Sequence, residues 1–442
     1  MRAVLVTSAA RDDIPMSGML AVLRKELERA GFNAVDHFDV REHQLGYCQG
    51  EFDCWLKHPG HCKIHDGAET IAAAIARADA VVYASRVTFG GFDHFTKFAL
   101  DRLLGLLLPF FEQRSELTHH ELRYARRPRL HAVGMLALPD GAQAETFDAL
   151  NDANAVNLGS PTRSAAVLVE GSPELWGRSL RKMLEAPLRP GHAIQERASL
   201  RETLLSAARP GPLPAFAPVR NAALLVGSAK PKGSSASELL AREVARLLAA
   251  EGVTCSFHRA GEFVHENDAS LAAAREIAAA DLFVLCSLLY VDSFPALVTH
   301  ALELVSRVRA ERRDALFVPL VQCGFPEPEH IRTALRVARH FAASAGYHYA
   351  GGLPLGAGSL VTPERSLAEG HPPLQHVARA LRLAVPALAA GESVPEGALQ
   401  QILKPAMPDA IYRMAGTAGF RLEARRRGAS QSDLRARPFA AR

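Results

Sequence analysis

Cysteine is scarce in this chain. Six residues in 442, Cys48, Cys54, Cys62, Cys255, Cys286 and Cys323, are too few for a disulfide scaffold and suit a protein whose thiols stay reduced. Long apolar runs are missing as well: no segment has the roughly 20 consecutive apolar residues of a membrane-spanning helix. The N-terminus passes from Met1 and Arg2 into a brief apolar run at residues 3–6 without the ordered regions of a secretory signal. A cytoplasmic protein with no membrane partner is expected. A strong charge of one sign is also lacking, since the formal net charge is +4. Eight arginines lie after Asp409, against Asp409, Glu423 and Asp433. The positive excess therefore sits in the tail, and the body has no basic stripe of the kind that binds nucleic acid. No nucleic-acid partner is expected, and the tail is expected to be frayed and solvated.

What is present is an ordinary globular composition, 48% hydrophobic and 22% charged, in a chain long enough for two or three domains. Short β-branched apolar runs alternate with longer segments of helical period, the pattern of a parallel sheet with crossover helices. In the first half strands are predicted at 2–7, 34–38, 80–85, 130–138 and near 165–169. A helix is predicted over 92–107, with a polar loop after it carrying His119, His120, Arg123, Tyr124 and Arg126 as a lid, an oligomer contact or a solvated turn. Pro190, Pro210, Pro212, Pro214 and Pro218 then crowd one stretch, which cannot continue a helix or a central strand. After it the pattern repeats, with strands predicted at 221–226, 254–258, 282–287, 315–322 and 347–351. The expected division is residues 1–185, a linker at 186–219, residues 220–390, and a C-terminal helical extension and basic tail at 391–442.

Chemistry concentrates in three loops that each follow a strand of the second half. Gly227-Ser228-Ala229-Lys230-Pro231-Lys232-Gly233-Ser234-Ser235-Ala236-Ser237 stands between a strand and a helix. Glycines there let backbone N–H groups converge, the helix N-terminus carries partial positive charge, and the serines add donors, so an anion is expected. It is neither a GxGxxG fingerprint nor a Walker loop. The second loop is Cys286-Ser287-Leu288-Leu289-Tyr290-Val291-Asp292-Ser293, and the third is Gln322-Cys323-Gly324-Phe325-Pro326-Glu327. In an open parallel sheet the ligand crevice lies beyond the carboxyl ends of the strands, and an aromatic there can cover a flat heterocycle.

These loops, with Gly351-Gly352, Gly356 and Gly358, resemble the NADPH-dependent FMN reductase and flavodoxin-like family. The resemblance implies an α/β fold of two tandem flavodoxin-like three-layer α/β/α domains, each with a five-stranded parallel sheet. It implies FMN as cofactor, NAD(P)H as co-substrate and a small-molecule electron acceptor, with no catalytic side chain required. Carried over by position, Gly227, Ser228, Lys230, Ser234, Ser235 and Ser237 hold the phosphate. Leu288, Leu289, Tyr290 and Gly324 contact the ring, and Cys323 and Phe325 complete that cofactor-binding set. Leu288 and Ala229 stand where the family commonly has proline. A homodimer, in which one subunit's loops cover the other's flavin, also follows from the resemblance.

In the first half, Ser85, Val87, Thr88 and Phe89 resemble the family's flavin loop, followed by Lys97 and residues 99–102. Asp12 and Asp13, however, fall close to where the phosphate would lie. A non-catalytic flavodoxin-like scaffold or ligand-binding protein is the alternative function, favoured for this half. Cys48, Cys54 and Cys62 resemble the cysteine segment of iron–sulfur flavoproteins with the motif incomplete, because Glu51 stands where a second cysteine is expected and a cluster takes four thiolates. Zinc held with one of His58, His61 or His65 is a further alternative. A structured loop of reduced thiols beside the first domain's active site, with no metal, is the reading adopted.

Overall fold

The computed structural model describes all residues except 44, 187–195, 310–313, 365–366, 368–371 and 441–442. It divides into two compact units, Met1–Gln195 with Arg413–Arg442, and Glu196–Tyr412. The first runs β1 (Arg2–Thr7), α1 (Ile14–Arg29), β2 (Ala34–Asp39), α2 (Asp53–Leu56), α3 (Ala68–Arg77), β3 (Ala80–Thr88), β4 (Gly91–Phe92) and α4 (His94–Asp101). It continues through β5 (Leu107–Arg114), β6 (Leu117–Leu122), β7 (Arg129–Leu136), α5 (Gly141–Asn157), β8 (Arg163–Val169) and α6 (Pro173–Leu184). Strands β2-β1-β3-β7-β8 form a parallel sheet, and β4 folds back antiparallel on the end of β3.

The period of two in the strands decides the layering. Ala3 and Leu5 face Met16, Met19 and Leu23 of α1 and Trp176 and Leu180 of α6. Their neighbours Val4 and Val6 join Ile71 and Ile75 of α3 and Phe147 and Leu150 of α5. Both faces of the sheet are thus covered, as a parallel sheet requires.

The helix expected over residues 92–107 is shorter. Helix α4 ends at Asp101, a tight turn spans Leu103–Leu106, and the chain then enters the antiparallel pair β5 and β6. The leucine-rich run at 103–108, interrupted only by Gly105, hides a change of period: Leu108 and Phe110 alternate inward onto Trp55 and Leu56. The expected polar loop is therefore largely a hairpin, and Arg123 beyond it is buried. The C-terminal extension is helical, as expected, but its end is packed rather than frayed. It forms α14 (Asp409–Arg426) and α15 (Gln431–Leu434), and Ala424, Ala429 and Leu434 close the cluster around Trp55. The Arg123 guanidinium donates to the Leu434 and Ala436 carbonyls. The Phe439 N–H donates to the Tyr124 hydroxyl.

The second unit runs α7 (Arg197–Ala208), β9 (Asn221–Gly227), α8 (Ala236–Ala250), β10 (Thr254–Arg259), α9 (Asp268–Ala279), β11 (Leu282–Leu288), α10 (Ala296–Val308) and β12 (Leu316–Gln322). Then come α11 (Arg332–Ala345), β13 (His348–Tyr349), β14 (Leu353–Leu355), α12 (Gln375–Ala389) and α13 (Glu396–Ile402). Strands β10-β9-β11-β12-β13 form its parallel sheet, with β14 pairing further along β12. β9, β11 and β12 are almost wholly buried, so this sheet also lies between layers. The expectation of two flavodoxin-like α/β units with five-stranded parallel sheets is met in both. Within the stretch read as a linker, residues 187–195 lie outside the described residues, and α7 stands where no helix was expected. Tyr349 donates its hydroxyl to the Ala207 carbonyl at the end of that helix. Among the described residues no helix is long and apolar enough to cross a membrane.

Candidate functional site

The register of the second sheet sets Gly227 beside Ser287 and Leu288 beside Gln322, so the three loops leave adjacent strand ends. Gly227 is required by close packing. A Cβ there would lie 2.6 Å from the Ser287 Oγ and 2.9 Å from Val298.

Four serines of the first loop have different uses. The Ser228 Oγ accepts from the Lys230 N–H at 3.3 Å, and the exposed Ser234 hydroxyl donates to the Pro231 carbonyl at 2.6 Å. Ser235 caps α8, accepting from the Glu238 N–H. Ser237, in the first turn of α8, is buried, and its Oγ has no hydrogen-bond partner among the described residues. Lys230 is half-buried and Lys232 exposed.

Two residues that shape this loop were missed in the sequence. Glu238 is buried and accepts from the Gly233 N–H at 2.7 Å, from Arg259 at 2.8 Å and from Arg242. Arg259, at the end of β10, also donates to the Lys230 carbonyl at 2.8 Å. Burial alone would raise the Glu238 carboxyl. The Arg259, Gly233 and Arg242 hydrogen bonds overcome it and hold the group at about 2. A glutamate in the first helical turn was visible, but its pairing with an arginine 21 residues on was not.

The second loop is a two-residue turn. Tyr290 and Ser293 exchange both backbone hydrogen bonds, at 2.9 and 3.1 Å, across Val291 and Asp292, whose φ values of 47° and 58° are left-handed. Leu288, Leu289 and Tyr290 are half-buried beside it. The third loop is braced by residues 355–358: the Cys323 N–H donates to Leu355, Gly358 to the Cys323 carbonyl and Ala357 to the Phe325 carbonyl. The Cys323 thiol points back to the Phe325 and Glu327 carbonyls, and burial pushes it up. Gly324 is exposed, and a Cβ on it would have nothing within 4 Å. Phe325 is half-buried, its ring 4.8 Å from that of His330. Tyr412, also missed in the sequence, donates its hydroxyl to the Gly324 carbonyl at 2.5 Å and lies 2.5 Å from the Ser359 Oγ.

The first unit repeats part of this plan. The Ser85 hydroxyl donates to the Arg86 carbonyl as the Ser287 hydroxyl does to that of Leu288. Val87 and Thr88 pair with Phe92 and Gly91 across a left-handed turn at Phe89 and Gly90. Its anion position differs. Asp13 caps α1 and makes two hydrogen bonds to Arg86, at 2.6 and 2.8 Å, and Arg86 also meets Glu170. Burial raises the Asp13 carboxyl, but the Arg86 and Met16 hydrogen bonds prevail and lower it. The Ser8 hydroxyl donates to the Asp93 carboxylate at 2.5 Å, where the second unit has Pro295. These carboxylates, with the Arg41 guanidinium donating to the Ser8 carbonyl beside them, set this position apart from the serine loop of the second unit.

Cys48, Cys54 and Cys62 line one pocket of this unit with Asp101, Arg102 and Phe439. Burial pushes the Cys48 thiol up to about 12 and raises that of Cys54, so both are thiols rather than thiolates at neutral pH. Among the described residues no group of three or more His, Cys, Asp or Glu is placed to hold a metal ion.

No curated protein matches the chain. Among solved structures it is similar to an NAD(P)H:quinone oxidoreductase from Methanothermobacter marburgensis, at 11% identity and a TM-score of 0.34, over 42% of this chain and 98% of that one. A flavoenzyme NAD(P)H:(acceptor) oxidoreductase from Paracoccus denitrificans is similar at 16% identity and a TM-score of 0.30, over 39% and 96%. So is an FMN-dependent NADH-azoreductase from Bacillus anthracis in complex with FMN, at 10% and 0.30, over 38% and 99%. It is the second unit, across residues 221–343, that matches the NADPH-dependent FMN reductase family.

Proposed function

We propose that the second unit is an FMN-dependent oxidoreductase that takes electrons from NAD(P)H and passes them to a small-molecule acceptor. The observation that carries this is the buried Ser237 hydroxyl, which has no hydrogen-bond partner among the described residues, whereas the Ser228, Ser234 and Ser235 hydroxyls of the same loop each have one. A phosphate at the start of α8 gives that hydroxyl an acceptor and meets the partial positive charge of the helix end. Gly227, Ser228, Lys230, Ser234, Ser235 and Ser237 are the residues proposed to hold it. Leu288, Leu289, Tyr290, Cys323, Gly324 and Phe325 are proposed to face the ring, Cys323 through its backbone because its side chain is turned inward. When bound, FMN supplies the redox chemistry. The protein's own groups bind and orient: Arg259 and Glu238 hold the phosphate loop in shape, and the half-buried Leu288, Leu289 and Tyr290 shield the ring from water.

For the first unit the second reading applies: Ser85, Val87, Thr88 and Phe89 keep the local architecture, and the unit serves as scaffold. In the reading as a whole the protein works in the cytoplasm, where its free cysteines stay reduced, and as a homodimer, which sedimentation analysis would test. The function is checked by equilibrium dialysis against FMN and by bleaching of the flavin absorbance with NADH or NADPH. Properly folded protein that takes up no FMN at millimolar concentration refutes it.

A further inference from the structure

Tyr412 lies outside the segment that matches the reductase family, yet it reaches the loop proposed to face the flavin. Its position is fixed from several sides. At the start of α14 the Asp409 carboxylate accepts from Arg197 at 2.6 Å, and Arg197 and Arg201 together meet the buried Glu329 just beyond the Gly324 loop. Ser359 is held in turn by its neighbour Gly358. The Gly358 N–H donates to the Cys323 carbonyl, and a Cβ on Gly358 would fall 2.0 Å from the Gln322 Oε1, so only glycine fits there.

The hydroxyl protons set a direction. Tyr412 has one proton and gives it to the Gly324 carbonyl, so Ser359 must donate to Tyr412. The result is a chain, Ser359 to Tyr412 to Gly324, in which each hydrogen bond polarises the next. The Gly324–Phe325 peptide is trans. Its N–H therefore points away from Tyr412, on the opposite side of the peptide plane's axis from the carbonyl. Tyr412 is only 7% exposed, whereas Gly324 faces open space. Burial raises the Tyr412 hydroxyl to about 12, so it remains a donor at neutral pH.

We infer that Tyr412 is a positioning residue for the flavin: by holding the Gly324 carbonyl it fixes the Gly324–Phe325 peptide and strengthens its N–H as a donor to the polar edge of the ring. The inference rests on the reading of the second unit as an FMN site. A donor at that edge favours the reduced, more electron-rich flavin over the oxidised one. Tyr412 thus tunes the potential as well as the affinity.

The test compares wild-type protein with Tyr412→Phe and Ser359→Ala, each first checked for an unchanged far-UV spectrum and unfolding midpoint within a few degrees. FMN affinity is measured by fluorescence quenching and the midpoint potential by dye-coupled titration. Loss of one hydrogen bond is expected to weaken oxidised FMN about threefold and reduced FMN about tenfold in Tyr412→Phe. The potential then moves to more negative values, and Ser359→Ala moves it less in the same direction. A merely structural role weakens both redox forms equally and leaves the potential where it was, and that result overturns the inference, as does a Tyr412→Phe protein indistinguishable from wild type. Wild-type protein that binds no FMN overturns the parent reading and this one with it, so the two failures are told apart.

Discussion

The Ser237 hydroxyl is buried without a partner among the described residues, so the ligand-free protein carries its desolvation penalty, about 1–3 kcal/mol. Ser237→Ala removes that penalty and the proposed phosphate donor together. Thermal unfolding of the ligand-free variant is expected to rise or stay level, while FMN binds at least about fivefold more weakly. An unchanged dissociation constant would remove Ser237 from the site. Glu238 gives a pH dependence with a definite sign. Its folded value of about 2 lies below the usual glutamate range, so its contribution is complete above the unfolded value and is lost as pH falls from about 5 toward 2. The stability gap between wild type and Glu238→Gln, measured by urea unfolding, is expected to be widest near pH 6 and to shrink steadily toward pH 3. The serines and glycines of the loop could be read in the sequence because they are contiguous. Glu238 with Arg259, and Gly324 with Tyr412, could not, since each pair joins residues that only the folded chain brings together.

At the scale of elements, the alternation of strands and helices and the strand-end placement of all three loops were legible, because β-branched apolar runs and glycine-marked turns are local signals. The end of α4 was not. Leu103–Leu108 has no polar side chain, only leucines around Gly105, and an apolar run of that kind does not distinguish a helix from a strand. The turns that close β3 and follow β11 were equally hidden, for Val291 and Phe89 are poor markers of left-handed backbone. That mismatch is testable. A β-branched residue held at φ 47° is strained by about 1–2 kcal/mol, and asparagine tolerates the same conformation. Val291→Asn is therefore expected to raise stability by about 1 kcal/mol in chemical denaturation, provided the turn keeps its geometry. A lower denaturation midpoint would show that the valine side chain contributes packing that outweighs the strain.

Over the whole molecule the sequence announced a duplicated βα pattern, and the structure has one. What it concealed was the use of the ends. The arginine-rich tail looked solvated because its charges dominate its composition, yet Ala424, Ala429 and Leu434 are buried against Trp55, and its carbonyls receive the buried Arg123 guanidinium. The two halves of the duplication have also diverged at the position where an anion would sit. In the second unit that position offers a partnerless hydroxyl and two lysines. In the first it is flanked by Asp13, ionised and locked to Arg86, and by Asp93, which takes the Ser8 hydroxyl. A phosphate there would face these carboxylates, and although the Arg41 guanidinium lies nearby on the Ser8 carbonyl, at a range of a few ångströms each carboxylate repels it by about 1–4 kcal/mol. The protein is therefore expected to bind one FMN per chain. The ratio of flavin absorbance to protein, after dialysis against excess FMN, should settle near one, and Ser237→Ala should lower it without uncovering a second class of sites. A ratio near two would mean that Asp13 and Asp93 swing aside on binding, and the division of labour between the units would have to be abandoned.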